Sequence, residues 1–284
     1  MDAVTKSHIE ANQQDADFRR KERERAYNYY MGRTKDETSS CFIPTLIEKI
    51  GIGNNNITKR IINRISLVYM VPPVRDVEEN DKYTTLTKRK NGKLQRAEKM
   101  TELLGLIAVK VTNRNGSLDY DIIRDFVLEY DANDPLIPTA IHYPLAVSDE
   151  VLNTNAERWA YWSDTEHFTY TKQKEMAMSI DSNPENPENI NPYGILPFIF
   201  TFRDGKPEST FTDVDPVNDI IETNYSMNII ETNKNANIHF QSFGYPWISG
   251  ANSDGQTVGQ DHWLILPQGA SVGIESPPNT IESI

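Results

Sequence analysis

The stretch Asp215–Phe240, DPVNDIIETNYSMNIIETNKNANIHF, decides most about the fold. It opens with Asp215, a helix-capping residue, and Pro216 at the first helical position, where a missing N–H is harmless. No glycine or proline follows before residue 240. The pattern therefore predicts one helix over 216–240, roughly 37 Å long at about 1.5 Å per residue. Its asparagines are poor helix formers, so we expect its Asn-rich faces to pack on a neighbouring subunit.

Three helices are predicted in the first 110 residues. Residues 14–31 lack glycine and proline and stop at Gly32. Residues 54–71 begin at capping asparagines and end before two prolines, and a third helix is predicted over 93–109. The apolar face of the first helix is predicted to contain Phe18, Ala26, Tyr27, Tyr30 and Met31. The apolar face of the second is predicted to contain Ile57, Ile61, Ile65 and Val68.

From about residue 118 the apolar residues alternate, which is typical of strands. Around the turn Ser163–Thr165, alternating aromatic residues predict a hairpin held by cross-strand packing. Residues 181–193 contain Asn-Pro three times, which predicts a loop. Strands are predicted at 121–130, 138–147, 158–162, 166–171 and 195–202, and from Trp247 and Trp263. The sequence as a whole predicts an α+β protein.

Charge divides the 284-residue chain, whose net charge is −12. Residues 1–115 carry a balance of +7 and residues 116–284 a balance of −19. The acidic half disfavours sequence-reading contact with DNA there. Residues 19–25 form a basic patch, for which phosphate contact and a solvated, ion-paired helix face are both open, the second being favoured.

No catalytic constellation stands out. The five histidines are scattered, and neither HExxH nor GxSxG occurs. The single cysteine, Cys41, excludes an intramolecular disulfide and a cysteine-based zinc site. Asp213, Asp215 and Asp219 suit a hard cation, but the electrostatics of a helix start explain them equally. We therefore predict no enzyme activity, catalytic residue, metal or cofactor. No apolar stretch approaches the length of a membrane span, and we expect no secretory signal.

Several segments, taken in order, resemble tailed-bacteriophage portal proteins. Asn56–Tyr69 with the prolines after it is similar to an early portal helix. Pro197–Phe202 followed by Asp213–Gly250, ending FGYPWISG, is similar to the passage from clip through stem helix to wing. Asp261–Gly269, DHWLILPQG, is similar to a wing strand and its turn.

The resemblance implies a portal-like fold with a helical and mixed-strand wing, a long stem helix and a small α/β clip. It also implies a homo-dodecameric ring at one capsid vertex of the virion. Double-stranded DNA would pass through this ring non-specifically during packaging and ejection. Implied partners are terminase, head-completion or adaptor proteins and the major capsid protein, with no membrane.

The resemblance further divides the chain into a wing region (1–150), clip and adjoining strands (151–212), stem helix (213–242) and return to the wing (243–284). Portal proteins usually continue into a tunnel loop and C-terminal helices, which we expect to be missing here. Channel-facing residues are then expected to be acidic and to come mostly from after residue 116; the candidates are Asp215, Asp219, Glu222 and Glu231. Partner contacts of the clip are expected at Asn183, Asn186 and Asn191.

Two alternatives come from other classes of protein. The first is an α+β enzyme of unknown type that uses some of the many carboxylates, which a pocket of convergent carboxylates would favour. The second is an adaptor that binds carbohydrate or protein through the aromatic hairpin 158–171, which an exposed aromatic patch would favour.

Overall fold

The computed structural model describes residues 13–69, 71, 90–114, 116–145, 157–172, 178–181, 184, 186–205, 216–242, 245–249 and 271–275. These residues form a mixed α+β fold, as predicted, in two compact units: residues 1–33 with 56–222, and residues 34–55 with 223–284. The helices are α1 (Gln13–Met31), α2 (Lys35–Ser39), α3 (Pro44–Ile50), α4 (Ile57–Ile65), α5 (Asn91–Leu104) and α6 (Asn218–Ser242). The strands are β1 (Leu106–Arg114), β2 (Ser117–Ile123), β3 (Val127–Tyr130), β4 (Pro138–Pro144), β5 (Glu157–Ser163), β6 (His167–Lys172), β7 (Met178–Ile180), β8 (Phe198–Phe202), β9 (Tyr245–Ser249) and β10 (Ser271–Glu275).

The first unit is layered. Two antiparallel sheets, ordered β2-β1-β8 and β3-β4-β5-β6-β7, enclose one apolar core. Alternate residues of a strand point to opposite faces, so Ile141 and Tyr143 of β4 enter this core while Ala140 faces away from it. Helix α5 covers the other face of the three-stranded sheet. The core between the sheets includes Leu106, Ala108, Leu128, Ile141, Trp162 and Phe198.

The third predicted helix ends earlier than expected. Helix α5 stops at Leu104 because Gly105, at φ 76°, takes a left-handed conformation that side-chain-bearing residues avoid. The residues that follow form β1, which is the central strand of its sheet and pairs with β2 and β8. The expected continuation to 109 is therefore wrong, because pairing on both edges outweighs a helical pattern in a short apolar run.

The first predicted helix is confirmed, but its buried face differs from the prediction. Among the α1 side chains that the structure describes, those of residues 19–31, the buried ones are Arg23, Ala26 and Tyr29. Of the predicted face, Ala26 is confirmed, Tyr27 and Tyr30 are only half-buried, Met31 is exposed, and the Phe18 side chain lies outside the described part. Arg23 donates a hydrogen bond to the carbonyl of Arg124 at 2.7 Å, and its guanidinium lies over the ring of Phe126. Burial lowers the pKa of Arg23 to about 10. For this residue the solvated-face interpretation is wrong.

The second predicted helix is confirmed as α4, but it is shorter than predicted. Asn56 caps α4 by accepting from the backbone N–H of Lys59, as expected, but the helix ends at Ile65. The Ser66 hydroxyl bonds back to the carbonyl of Ile62, and the N–H groups of Val68 and Tyr69 donate to the carboxylate of Glu98. The buried stripe is Thr58, Ile62 and Ser66, so the predicted apolar face is wrong for the exposed Ile65 and Val68.

The predicted strands that fall on described residues are confirmed with shifted ends. The segment 121–130 divides into β2 and β3, which belong to different sheets. The predicted hairpin is β5 and β6, where Tyr161 pairs with Phe168 and the two rings stack 4.6 Å apart. The long helix is confirmed as α6, and Trp247 lies in β9. The predicted strand from Trp263 lies outside the described residues.

The second unit contains α2, α3, most of α6 and the two-stranded ribbon of β9 and β10. Helices α2 and α3 were not predicted from the sequence. In the part of α6 that belongs to this unit, the buried side chains include Asn224, Asn228, Thr232 and Ala236. The predicted four-part division into wing, clip, stem and returning wing stays a prediction.

Asp119 on β2 provides a pH-dependent link between sheet and helix. Its buried carboxylate accepts hydrogen bonds from the ammonium groups of Lys90 and Lys93 beside the start of α5. Hydrogen bonds from these lysines, Lys93 above all, hold the pKa of Asp119 far below its usual value of 3.8. Because the pKa is lowered in the folded state, the stabilisation is complete above pH 3.8 and is lost as pH falls below it.

We therefore expect Asp119→Asn to destabilise the protein at neutral pH and to cost progressively less below pH 3.8. Urea denaturation of wild type and variant across the acid range measures the difference. Asp164→Asn, at an exposed carboxylate of the same unit, is the matched control and should show little change at any pH. An Asp119→Asn effect that stays constant with pH would contradict the charge-based explanation.

Candidate functional site

One side of the long helix buries polar groups. Asn224, Asn228 and Thr232 follow one another at four-residue spacing and are fully buried. They bond to the backbone of residues 53–55, which belongs to no helix or strand. The Asn55 N–H donates to Asn228 Oδ1 at 2.8 Å, Asn224 Nδ2 donates to the Asn55 carbonyl at 2.9 Å, and the Gly53 N–H donates to Thr232 Oγ1 at 3.0 Å. We call these three side chains the polar stripe.

The polar stripe corrects part of the sequence interpretation. Asn228 Nδ2 also donates to the hydroxyl of Thr34, which itself donates to Asn54 Oδ1. The amides of Asn224 and Asn228 are thus satisfied inside their own chain. For these two residues, the expected need for a neighbouring subunit is wrong.

Gly53 lets the backbone approach the helix closely. A Cβ at this position would lie 2.7 Å from Glu231 Cβ and 2.9 Å from the Asn228 carbonyl oxygen. Both are shorter than real Cβ atoms tolerate, and a helix carbonyl has no freedom to move aside. The close approach therefore favours glycine at 53, because a Cβ there would force this segment and the helix backbone apart.

The predicted channel-facing residues lie on different sides of α6. Asp219 and Glu222 are exposed one turn apart, and Glu222 forms an ion pair with Arg25. Glu231 is half-buried and accepts from Asn55 Nδ2. Nine residues are about two and a half turns, so Glu231 lies opposite Glu222. One channel wall can therefore include Asp219 and Glu222 but not Glu231, and Asp215 lies outside the described residues.

The asparagines predicted for partner contact hold a turn together. Asn186 donates to the carbonyls of His167 and Ile190 and accepts from the Ile190 N–H. Asn191 is buried and donates to the carbonyls of Ser163 and Ile195. Both amides are thus occupied by partners in the loop and in the adjoining strands β5 and β6, and Asn183 lies outside the described residues.

The same loop exposes apolar side chains. Ile190, Tyr193 and Ile195 are 53%, 40% and 66% exposed. Exposed acidic residues, Glu166 and Glu188 among them, lie in the same region, and Glu166 forms a β-bridge with Ile190. We call residues 186–195 the apolar loop. Large exposed apolar groups rimmed by charge are typical of protein-contact surfaces.

A groove lies between α1 and α5 in the first unit. Its volume is about 290 Å³. Tyr27, Tyr30, Met31 and Met100 supply aromatic and thioether surface, while Arg96 and Lys99 supply positive charge. Burial raises the pKa of Tyr30, and the nearby Arg96 partly opposes that rise. We call this feature the α1–α5 groove.

Two further cations lie on the tyrosine rings of the groove. The Arg124 guanidinium is 3.7 Å from the ring centroid of Tyr27, and the Lys59 ammonium is 5.8 Å from that of Tyr30. A cation over an aromatic face is attracted by the negative face of the ring. The groove is therefore electropositive, and no carboxylate is among the lining residues that the structure describes.

The outer face of the five-stranded sheet contains a buried aromatic network. His142 Nε2 lies 2.7 Å from Glu129 Oε1, and His142 Nδ1 lies 3.2 Å from the Tyr170 hydroxyl. Burial raises the pKa of Tyr161 to about 12 and that of Tyr170 further still. The hairpin aromatics Trp159, Tyr161, Phe168 and Tyr170 are all buried, so they form no exposed platform for a ligand.

Among the described residues, no group of three or more histidine, cysteine, aspartate or glutamate side chains could hold a metal ion. Of the described helices, none combines the length and the apolar character that crossing a membrane requires. No protein-family model matches the chain, and no curated protein is significantly similar to it.

Sequence reasoning missed the polar stripe and the α1–α5 groove. The repeat Asn224, Asn228, Thr232 was a visible signal, because polar residues four apart share one helix face. The groove had no such signal. Its two walls come from helices separated by about 60 residues of sequence, and only the packing of α1 on α5 brings Tyr30 near Arg96.

Proposed function

We propose that the chain is the structural subunit of a portal ring, placed at one vertex of a tailed-phage capsid and enclosing a channel for double-stranded DNA. The ordered similarity of its segments to portal proteins suggests this function. The structural observation that carries it is on α6, whose outer surface exposes Ile230 by 65% and Met227 by 41%.

Exposed apolar residues on α6 support contact with another chain. Met227 and Ile230 are three residues apart and therefore neighbours on the helix surface, away from the polar stripe. The polar stripe fixes the helix within its own subunit, which leaves this second surface to pack elsewhere. A head-to-tail contact between different surfaces of identical subunits generates a ring when the rotation closes.

The distribution of charge supports a channel for DNA. Lysine or arginine contacts with phosphates release counterions and hold DNA in place, so a channel wall should avoid them. Asp219 and Glu222 are exposed on one side of α6, where they would repel the duplex. At physiological salt this repulsion acts within about 8 Å of the wall.

The apolar loop is the candidate contact for terminase and the head-completion proteins. Its asparagines shape the turn, and its exposed isoleucines and tyrosine offer the contact area. This assignment transfers the predicted partner contact from Asn186 and Asn191 to Ile190, Tyr193 and Ile195.

Substituting Ile230 tests ring formation directly. We expect Ile230→Asp to weaken self-association at least tenfold, which corresponds to about 1.4 kcal/mol, because it places a charge in an apolar contact. Its effect on the folding of the subunit should stay within about 0.5 kcal/mol, since the residue is exposed in the single chain. Native mass spectrometry and sedimentation velocity measure the assembly.

Ile43→Asp is the matched control, since it makes the same substitution at an isoleucine that is 68% exposed in the same unit but lies outside α6. It should assemble like wild type. A wild-type protein that stays monomeric at high concentration and low salt would refute the proposed function. Equal assembly of Ile230→Asp and wild type would show that α6 does not carry the contact.

A further inference from the structure

The α1–α5 groove combines an apolar lining with positive charge. Met100 is buried beneath it, Met31 is partly exposed, and the rings of Tyr27 and Tyr30 form its aromatic part. Arg96 and Lys99 lie three residues apart on α5 and thus share one face of that helix. Such a groove suits a group with an apolar stem and an anionic tip.

The surrounding cations narrow the chemistry of the occupant. Arg124 already lies against the ring of Tyr27, and Lys59 lies near the ring of Tyr30. These contacts compete with base stacking on the two tyrosines, which single-stranded nucleic acid would use. A duplex presents phosphates on a convex backbone and has no apolar stem to place against Met31 and Met100. A glutamate or aspartate side chain has both parts.

The chain itself contains a matching source of carboxylates. Residues 116–284 carry a balance of −19, whereas residues 1–115, which supply every lining residue of the groove, carry +7. Complementary charge accelerates encounter and fixes register between partners. The positive lining of the groove is therefore complementary to carboxylates from residues 116–284 of a second copy.

We propose that the α1–α5 groove receives a glutamate- or aspartate-bearing segment from residues 116–284 of a second copy of this chain. The carboxylate pairs with Arg96 and Lys99, and its stem packs on the methionines and tyrosines. Groove and inserted segment are different surfaces, so the contact is head-to-tail. The inference rests on the proposed ring and names one of the contacts that closes it.

Charge reversal in the groove tests the contact. The double variant Arg96→Glu/Lys99→Glu should weaken self-association at least tenfold near 0.1 M salt. Wild-type assembly should weaken as salt rises, because the Debye length falls from about 10 Å at 0.1 M to about 3 Å at 1 M. The matched control is Lys21→Glu/Arg60→Glu, which makes the same charge change at exposed positions of the same unit outside the groove lining. It should assemble within threefold of wild type.

Zero-length carbodiimide crosslinking identifies the occupant. A mixture of isotope-labelled and unlabelled wild-type chains should give mixed-isotope peptides that join Lys99 of one copy to an aspartate or glutamate after residue 116 of another. Crosslinks from Lys99 that occur only within one copy would overturn the proposal.

The outcomes separate this inference from the proposed function. If wild type forms rings and the double variant forms them equally well, the groove contact is wrong and the ring stands. If wild type does not assemble at all, the ring is refuted and this contact with it. If the double variant loses binding to a random-sequence DNA duplex while its assembly is unchanged, the occupant is nucleic acid and the proposal is overturned.

Discussion

Replacing Gly53 with valine should lower the free energy of unfolding by about 3 kcal/mol. The added side chain would begin 2.7 Å from Glu231 Cβ and 2.9 Å from the Asn228 carbonyl oxygen. Relief requires the segment 53–55 to move away from α6, which breaks the hydrogen bonds that Gly53 and Asn55 make to the polar stripe. Urea denaturation followed by circular dichroism gives the change in stability.

Gly92→Ala is the control for this substitution. Gly92 lies in α5, and a Cβ there meets nothing within 4 Å. Alanine should leave stability unchanged or raise it by up to about 1 kcal/mol, because it restricts the unfolded chain and favours helix. Gly53→Val as stable as wild type would show that residues 53–55 do not pack against the helix as described.

Asn228→Leu should cost about 2 to 4 kcal/mol. Leucine has a similar volume, so the loss comes from polar groups and not from a cavity. The Asn55 N–H and the Thr34 hydroxyl would each lose a partner that Asn228 supplies. Leaving the Asn55 N–H without a hydrogen bond costs about 1 to 3 kcal/mol. The Thr34 hydroxyl keeps its bond to Asn54 and loses one net hydrogen bond, worth about 1 kcal/mol. Denaturation midpoints measure the sum.

Asn233→Leu is the matched control, since it makes the same chemical change at an exposed position five residues along the same helix. Surface substitutions of this kind stay within about 0.5 kcal/mol. Hydrogen exchange adds a local measurement, because Asn228→Leu should accelerate exchange at the Asn55 amide specifically. Equal stability of the two variants would contradict a structural role for the polar stripe.

Local sequence signals predicted the elements of the fold well where one signal dominated. Asp215-Pro216 followed by 24 residues without glycine or proline led correctly to α6, and the alternating aromatics led to the β5–β6 hairpin. Prediction failed where a helical pattern competed with strand pairing. Residues 106–109 fit a helical pattern, but β2 and β8 pair with them on both sides. Such pairing depends on residues distant in sequence.

Buried faces were harder to predict than elements. On α1 the sequence pattern predicted that Tyr27 and Tyr30 are buried, but the buried side chains include Arg23 and Tyr29 instead. Arginine is rarely buried unless its donors are satisfied, and its partner here, the Arg124 carbonyl, lies about 100 residues away in sequence. No local window contains that information.

The candidate site was predictable only in part. The acidic residues of α6 could be identified as a group, but the structure separates Glu231, bonded to Asn55, from Asp219 and Glu222. The described residues of the segment 181–193 are irregular, as expected. Its asparagines were predicted as contact residues because they are polar, but their amides form hydrogen bonds that stabilise the turn. The exposed side chains are those of Ile190, Tyr193 and Ile195.

The most direct test of the proposed function is a cryo-electron microscopy reconstruction of the purified wild-type protein at low salt. We expect closed rings with an open central channel whose wall is mainly acidic and drawn from residues after 116, with Asp219 and Glu222 facing the lumen. Single subunits, open filaments, or a ring whose lumen is lined mainly by lysine and arginine from residues 1–115 would contradict the account.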